Sequence, residues 1–184
     1  MLGEHEVREL CRRLGCSSDA PAVIAAIQTA PPARRVSSRA GNVSARYPSR
    51  KMGVVIQAES HRNDLAAVYA MEHDPQVLAY YDQPPPLKLT YLARQGRRVG
   101  VFHTPDFFVI RVDSICWEEW KLEGELERLA ETMPARYVRT STGWSCPPGE
   151  DVAATWGFTY RVRSSAEIDW IFQRNLQFLT DYTL

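Results

Sequence analysis

The stretch HTPDFFVIRVDSICWEEWK, residues 103 to 121, constrains the fold more than any other part of the chain. Two apolar runs, FFVI and ICW, flank the turn residues Asp113 and Ser114. That is the pattern of two antiparallel strands joined by a tight hairpin. Their Phe, Ile and Trp content marks both strands as central to a sheet. Yet the first opens on Asp106, and the second carries Glu119 and Lys121. Side chains two apart on a strand share a face, so Glu119 and Lys121 point together while Glu118 and Trp120 point away. The hairpin brings Asp106 alongside them. Two carboxylates in an apolar setting repel each other and lose hydration, which asks for a reason.

Magnesium offers one. It prefers oxygen ligands and is usually held by one or two carboxylates, with waters and phosphate oxygens completing the shell. Asp106 and Glu119 supply such oxygens, and the Trp120 carbonyl is a further candidate. A lysine beside them positions or deprotonates a water, and phosphodiester hydrolysis needs this set. The bland alternative is an exposed aspartate at a strand start and a Glu-Lys pair on a sheet surface. The short motif alone leaves it open.

The remaining sequence supplies an α/β setting. Helices are expected at residues 4–14, stopped by Gly15, and at PAVIAAIQ, capped by Ser18 or Asp19. TAPPARRVSSRAGN reads as a linker, and VVIQ is strand-like. SHRNDLAAVYAMEHDP is a helix that Pro75 ends. No element is assigned between there and LKLTYL. LKLTYL, VGVFH, TPDFFVIRV and SICWEEWK read as consecutive antiparallel strands. LEGELERLAETM is an amphipathic helix, ARYVRT a strand, SCPPG a loop, EDVAATW a short helix and FTYRVR a strand. SSAEIDWIFQRNLQFL is a final helix with Ser164 and Glu167 at capping-box spacing. Its apolar positions are Ile168, Ile171, Phe172, Leu176 and Leu179. Core packing, docking on a partner and continuation into a longer chain are all open for it.

At 184 residues and 45% hydrophobic, the chain has material for one real core. The expected division is a helical and basic extension over 1–42 and a main domain over 43–184. No apolar run approaches the roughly 18 to 20 residues of a membrane span. The opening MLGEHEVREL is too charged for a signal peptide, so a cytoplasmic location is expected. The four cysteines show no CxxC pairing, which argues for reduced thiols rather than structural zinc.

Net charge is zero, but the charge is segregated. Between Pro31 and Arg62 stand seven basic residues, Arg34, Arg35, Arg39, Arg46, Arg50, Lys51 and Arg62, against the single acid Glu59. Arg94, Arg97 and Arg98 crowd a predicted hairpin tip. A basic edge beside an acidic centre suits a protein that holds phosphates around a metal.

The agreement of several segments carries a resemblance. ESHRNDLAAVYAMEHDPQVLAYYDQPPPLKL, HTPDFFVIR and WEEWK, within residues 43 to 140, resemble the TnsA-type transposon-end endonucleases. These belong to the restriction-endonuclease-like PD…ExK superfamily. A weaker likeness runs from YRVRSSAEIDWIFQRNLQFL to the C-terminus. The resemblance implies a mixed central sheet flanked by helices and a magnesium-dependent nuclease, with manganese as a substitute. Its substrate would be double-stranded DNA at transposon ends. Its partner would be a DDE-type transposase, in trans or on the same longer chain, in the bacterial cytosol. By match to the motif, Asp106 and Glu119 bind metal and Lys121 is the motif lysine. The helix acid falls on Asp64 by register, with Glu59 as rival; a helical stretch would put them roughly 140° apart. Gln83 matches a glutamine of the family that orients the site, and His103 stands near it. Two other readings stay open: a catalytically weakened fold that binds DNA or docks on a transposase, and a stand-alone restriction-type nuclease.

Overall fold

The computed structural model describes residues 2–34, 45–58, 63–93 and 96–182. The chain opens with α1 (Glu4–Leu14) and α2 (Ala20–Thr29). Gly15 ends α1 in a left-handed conformation, φ 69°, its N–H returning to the last carbonyls of the helix. Asp19 is the N-cap residue of α2 but makes no side-chain cap bond. Val7, Leu10, Ile24 and Ile27 of these helices join the same buried cluster as the central sheet. Next come β1 (Ala45–Ser49) and β2 (Val54–Ala58), an antiparallel pair, and then α3 (Asn63–His73).

The strands β3 (Val77–Asp82), β4 (Leu87–Leu92), β5 (Arg98–His103), β6 (Phe107–Arg111) and β7 (Ile115–Lys121) follow. After α4 (Glu123–Thr132) come β8 (Val138–Thr140), β9 (Gly143–Ser145), α5 (Pro147–Ala154), β10 (Thr159–Ser164) and α6 (Trp170–Tyr182). Six strands form one mixed sheet in the order β3-β6-β7-β10-β9-β8. β7 and β10 are parallel, which the long crossover through α4 and α5 makes possible; the other neighbours are antiparallel. This is the α/β architecture, a mixed sheet flanked by helices, that the sequence implies.

Residues 107–110 of β6 are buried without interruption, as are 115–119 of β7, because these strands lie inside the sheet with both faces covered. Trp117 stacks against Phe108, Phe158 and Trp156 with ring centroids 5.0 to 5.6 Å apart. Fully burying one such apolar side chain stabilises the fold by roughly 1.5–3 kcal/mol. The apolar hairpin thus anchors the polar groups at its open end.

The structure departs from the sequence expectations in several places. β3 occupies a stretch with no assigned element; a bulge between Val77 and Ala79 breaks its alternation. The four consecutive strands are two separate hairpins, since β4 and β5 pair only with each other. Pro105 stands between β5 and β6 and has no N–H to give a sheet. PPG of SCPPG is not loop but the first turn of α5, where proline is tolerated. The Ser164–Glu167 capping box exists, but it caps a 3₁₀ turn over Ser165–Glu167, and α6 begins only at Trp170. Of the apolar positions expected on that helix, Leu176 is buried while Ile171 and Phe172 are exposed. No helix among the described residues is long and apolar enough to cross a membrane.

Candidate active site

The β6–β7 register pairs Phe107 with Glu118, so one further step sets Asp106 opposite Glu119. The Asp106 N–H donates to the Glu118 carbonyl at 3.0 Å. Its carboxylate then takes the next position in the ladder, with Oδ2 accepting from the Trp120 N–H at 2.7 Å. Asp106 makes no other side-chain hydrogen bond among the described residues. It is partly exposed at the mouth of a cleft. Burial first, and the nearby Asp64 second, push its carboxyl well above the ordinary range.

Glu119 presents the opposite condition. It is 1% exposed. Oε1 accepts from the Tyr137 hydroxyl at 2.8 Å and lies 3.1 Å from Lys121 Nζ. Oε2 accepts from the Tyr160 hydroxyl at 2.8 Å. His103 Nε2 lies 3.2 Å from Oε2, close enough to attract but off the line of a straight hydrogen bond. Burial opposes ionisation of Glu119, but His103, Lys121 and Tyr137 outweigh it and hold the group far below the usual glutamate range. Burial, and then the facing carboxylate, push both phenols up, so they remain protonated donors.

Burial alone would lower the Lys121 pKa, yet Glu119, Asp106 and Glu125 raise it above the ordinary lysine value. The side chain therefore stays an ammonium. It suits steadying charge or orienting a water better than removing a proton.

Asp64 stands in the first turn of α3, 5% exposed, and lines the same cleft of about 740 Å³ as Asp106, Glu119 and Lys121. An acid at a helix N-terminus is favoured by the dipole. Its rival Glu59 lies outside the described residues. Among the described residues no group of three or more His, Cys, Asp or Glu is arranged to hold a metal ion. Two acids completed by water and phosphate oxygens are nonetheless a usual magnesium set. The cost that Asp64 adds to the ionisation of Asp106 is one a divalent cation would relieve.

Gln83 is buried with a left-handed φ of 46°, rare outside glycine, and its N–H donates to the Asp106 carbonyl at 2.9 Å. Its side-chain oxygen accepts from Arg34 Nε at 3.1 Å, and Arg34 lines the cleft. Of the other basic residues, Arg97 and Arg98 are exposed on the β4–β5 ribbon. Their end of the ribbon is about 17 Å from His103 at five strand steps. Arg35, Arg39 and Arg94 lie outside the described residues. Arg46 and Arg50 are exposed on the β1–β2 unit. Lys51 is elsewhere engaged: Nζ donates to the Met71 and Asp74 carbonyls at 2.7 and 2.6 Å, at the end of α3 away from the cleft.

Sequence reasoning did not single out Tyr137, Tyr160 or Arg136. Arg136 lines the cleft with its guanidinium carbon 5.1 Å from the Tyr137 ring centre. One signal for Tyr160 was present in Gly149, a glycine inside α5. A Cβ there would meet the Tyr160 ring at 2.8 to 2.9 Å.

A mixed α/β sheet whose central hairpin ends in an acidic cleft lined by one half-buried lysine, Lys121, defines the class. A family model described as TnsA-like endonuclease N terminal matches residues 74–173, more than half of the chain. The chain belongs to that family, whose members are nucleases of transposition. The matched span includes Gln83, His103, Asp106, Glu119 and Lys121, while α3 with Asp64 precedes it. A comparison with curated proteins finds no match.

Proposed function

We propose that this chain is a magnesium-dependent endonuclease that cuts a strand of double-stranded DNA at transposon ends. It would work with a DDE-type transposase supplied in trans or on the same longer chain. One observation carries the reading. Asp106 has a single donor, feels Asp64 beside it and sits across the hairpin from Lys121 in an open cleft. Asp64 and Asp106, with the Trp120 carbonyl as a further oxygen, would hold the ion. Magnesium, with manganese as substitute, would polarise the phosphodiester and lower the pKa of a bound water. Lys121 stays charged and steadies the negative charge that develops at phosphorus. Arg34, placed by Gln83, and Arg136 add positive charge to the walls and hold the DNA backbone.

Asp106→Asn and Lys121→Met are expected to lower strand cleavage by about a hundredfold to a thousandfold or more. Both should keep the fold by circular dichroism and keep DNA binding. Unchanged cleavage by either purified variant rejects the assignment. A wild-type protein that shows no Asp106-dependent manganese binding in calorimetry is a DNA-binding or docking module instead. Efficient cutting without a transposase points to a stand-alone nuclease.

A further inference from the structure

We propose that Glu119 positions Lys121 rather than ligating the metal, and that Tyr137 and Tyr160 are the groups that hold it in that role. The inference rests on the reading of Asp64 and Asp106 as the metal-holding acids.

A carboxylate offers about four lone-pair sites. At Glu119 four neighbours crowd them: the Tyr137 and Tyr160 hydroxyls donate to Oε1 and Oε2, Lys121 Nζ pairs with Oε1 at 3.1 Å, and His103 Nε2 stands 3.2 Å from Oε2 without a hydrogen bond to it. A metal at either oxygen would have to displace one of them. A displaced hydroxyl would be left buried, since Tyr137 is 2% and Tyr160 4% exposed, and displacing Lys121 would break the ion pair that places the ammonium. Asp106 lies opposite Glu119 across the hairpin with a single donor and needs no displacement.

The four neighbours also come from separate elements. Lys121 shares β7 with Glu119, Tyr160 stands on the parallel strand β10, Tyr137 follows α4 and His103 ends β5. The carboxylate is thereby fixed from several directions, and through it the ammonium two residues on. Gly149 belongs to the same device. Its missing Cβ leaves room for the Tyr160 ring, which therefore keeps its hydroxyl on Glu119.

Phenylalanine keeps the volume of each ring and removes only the hydroxyl, so the test uses Tyr137→Phe with Tyr160→Phe, beside Glu119→Gln and Asp106→Asn. Manganese binding to the DNA-free protein is read by calorimetry. Cleavage is read at saturating metal and DNA, and DNA affinity separately. The double phenylalanine variant and Glu119→Gln should bind manganese within threefold of wild type and leave DNA affinity unchanged. The double variant should cleave at least tenfold more slowly, with no rescue by added metal, as expected when a reacting group is misplaced by a fraction of an ångström to an ångström. Gly149→Ala keeps both hydroxyls but crowds the ring, and should slow cleavage in the same metal-independent way. A loss of manganese affinity beyond threefold in the double variant or in Glu119→Gln overturns the proposal, as does a fall in cleavage of less than tenfold in the double variant. Manganese binding by Asp106→Asn equal to wild type overturns the underlying metal reading instead.

Discussion

Glu72, near the end of α3, and Glu119, in β7, each face four polar neighbours, but the neighbours differ in kind. Glu72 accepts from Ser49 Oγ and the Tyr80 hydroxyl at 2.6 Å each, and from the Arg50 and Lys51 N–H groups at 2.8 and 2.9 Å. All four are neutral, and two are backbone. Glu119 faces two phenols, a lysine and a histidine, and three of these, His103, Lys121 and Tyr137, line the cleft. The first arrangement staples a turn to a helix. In the proposed reading, the second transmits position to a charged group that lines the cleft. Donor count alone therefore does not mark a functional carboxylate; the identity and exposure of the donors do. Asp106, with one donor, completes the contrast.

The comparison is broken most directly by removing Glu72. Glu72→Ala leaves two amides, a serine and a tyrosine without their acceptor, and an unsatisfied buried donor costs about 1–3 kcal/mol. Because the group is only half-buried and water can reach part of it, a net loss of about 3 kcal/mol is expected from the four together. Urea unfolding measures it, and manganese affinity should not change. A variant that loses metal binding while keeping its stability would mean that the staple and the cleft are one unit.

That division was only half legible in the sequence. The hairpin at 103–121 could be read because its apolar runs are long, its turn is explicit and its polar residues conflict with their surroundings. The same conflict exposed Asp106, Glu119 and Lys121. Tyr137 and Tyr160 gave no such conflict, since a tyrosine in a strand-like segment is ordinary there. Their role comes from the β7–β10 crossover, which no local pattern encodes. Lys51 shows the converse: it stands in a basic stretch, but its ammonium is claimed by carbonyls that only the fold brings near. β3 was hidden by its bulge and flanking prolines, and for α6 the stripe of apolar residues did not tell Leu176, which is buried, from Ile171 and Phe172, which are exposed.

Acid sharpens the comparison with a smaller effect. Burial opposes ionisation of Glu72, but Ser49, Tyr80 and the two amides lower its pKa below the ordinary value. A depressed pKa means the charged form is favoured by folding. Its contribution is full above the unfolded value, about 4.3 for glutamate, and is lost as pH falls through the lower folded value. Wild type should therefore lose more stability than Glu72→Gln between about pH 5 and pH 3. The glutamine variant lacks the titration. Parallel loss in the two proteins across that window would show that Glu72 titrates alike folded and unfolded, and that its four donors do not favour the charge.

Lys51 gives the smallest expected change. Its ammonium closes the carbonyl end of α3, where a cation is worth about 0.3–1 kcal/mol. Lys51→Met should cost about that much in urea unfolding. Its DNA affinity should keep the wild-type salt dependence, because the charge is turned to the helix and not to solvent. A lysine on a phosphate behaves otherwise: its removal weakens binding across all sequences and lowers the salt slope by about 1. That result for Lys51→Met would move the β1–β2 turn from the scaffold to the DNA-binding surface. Arg34→Gln, at the cleft, is the control in which the slope should fall.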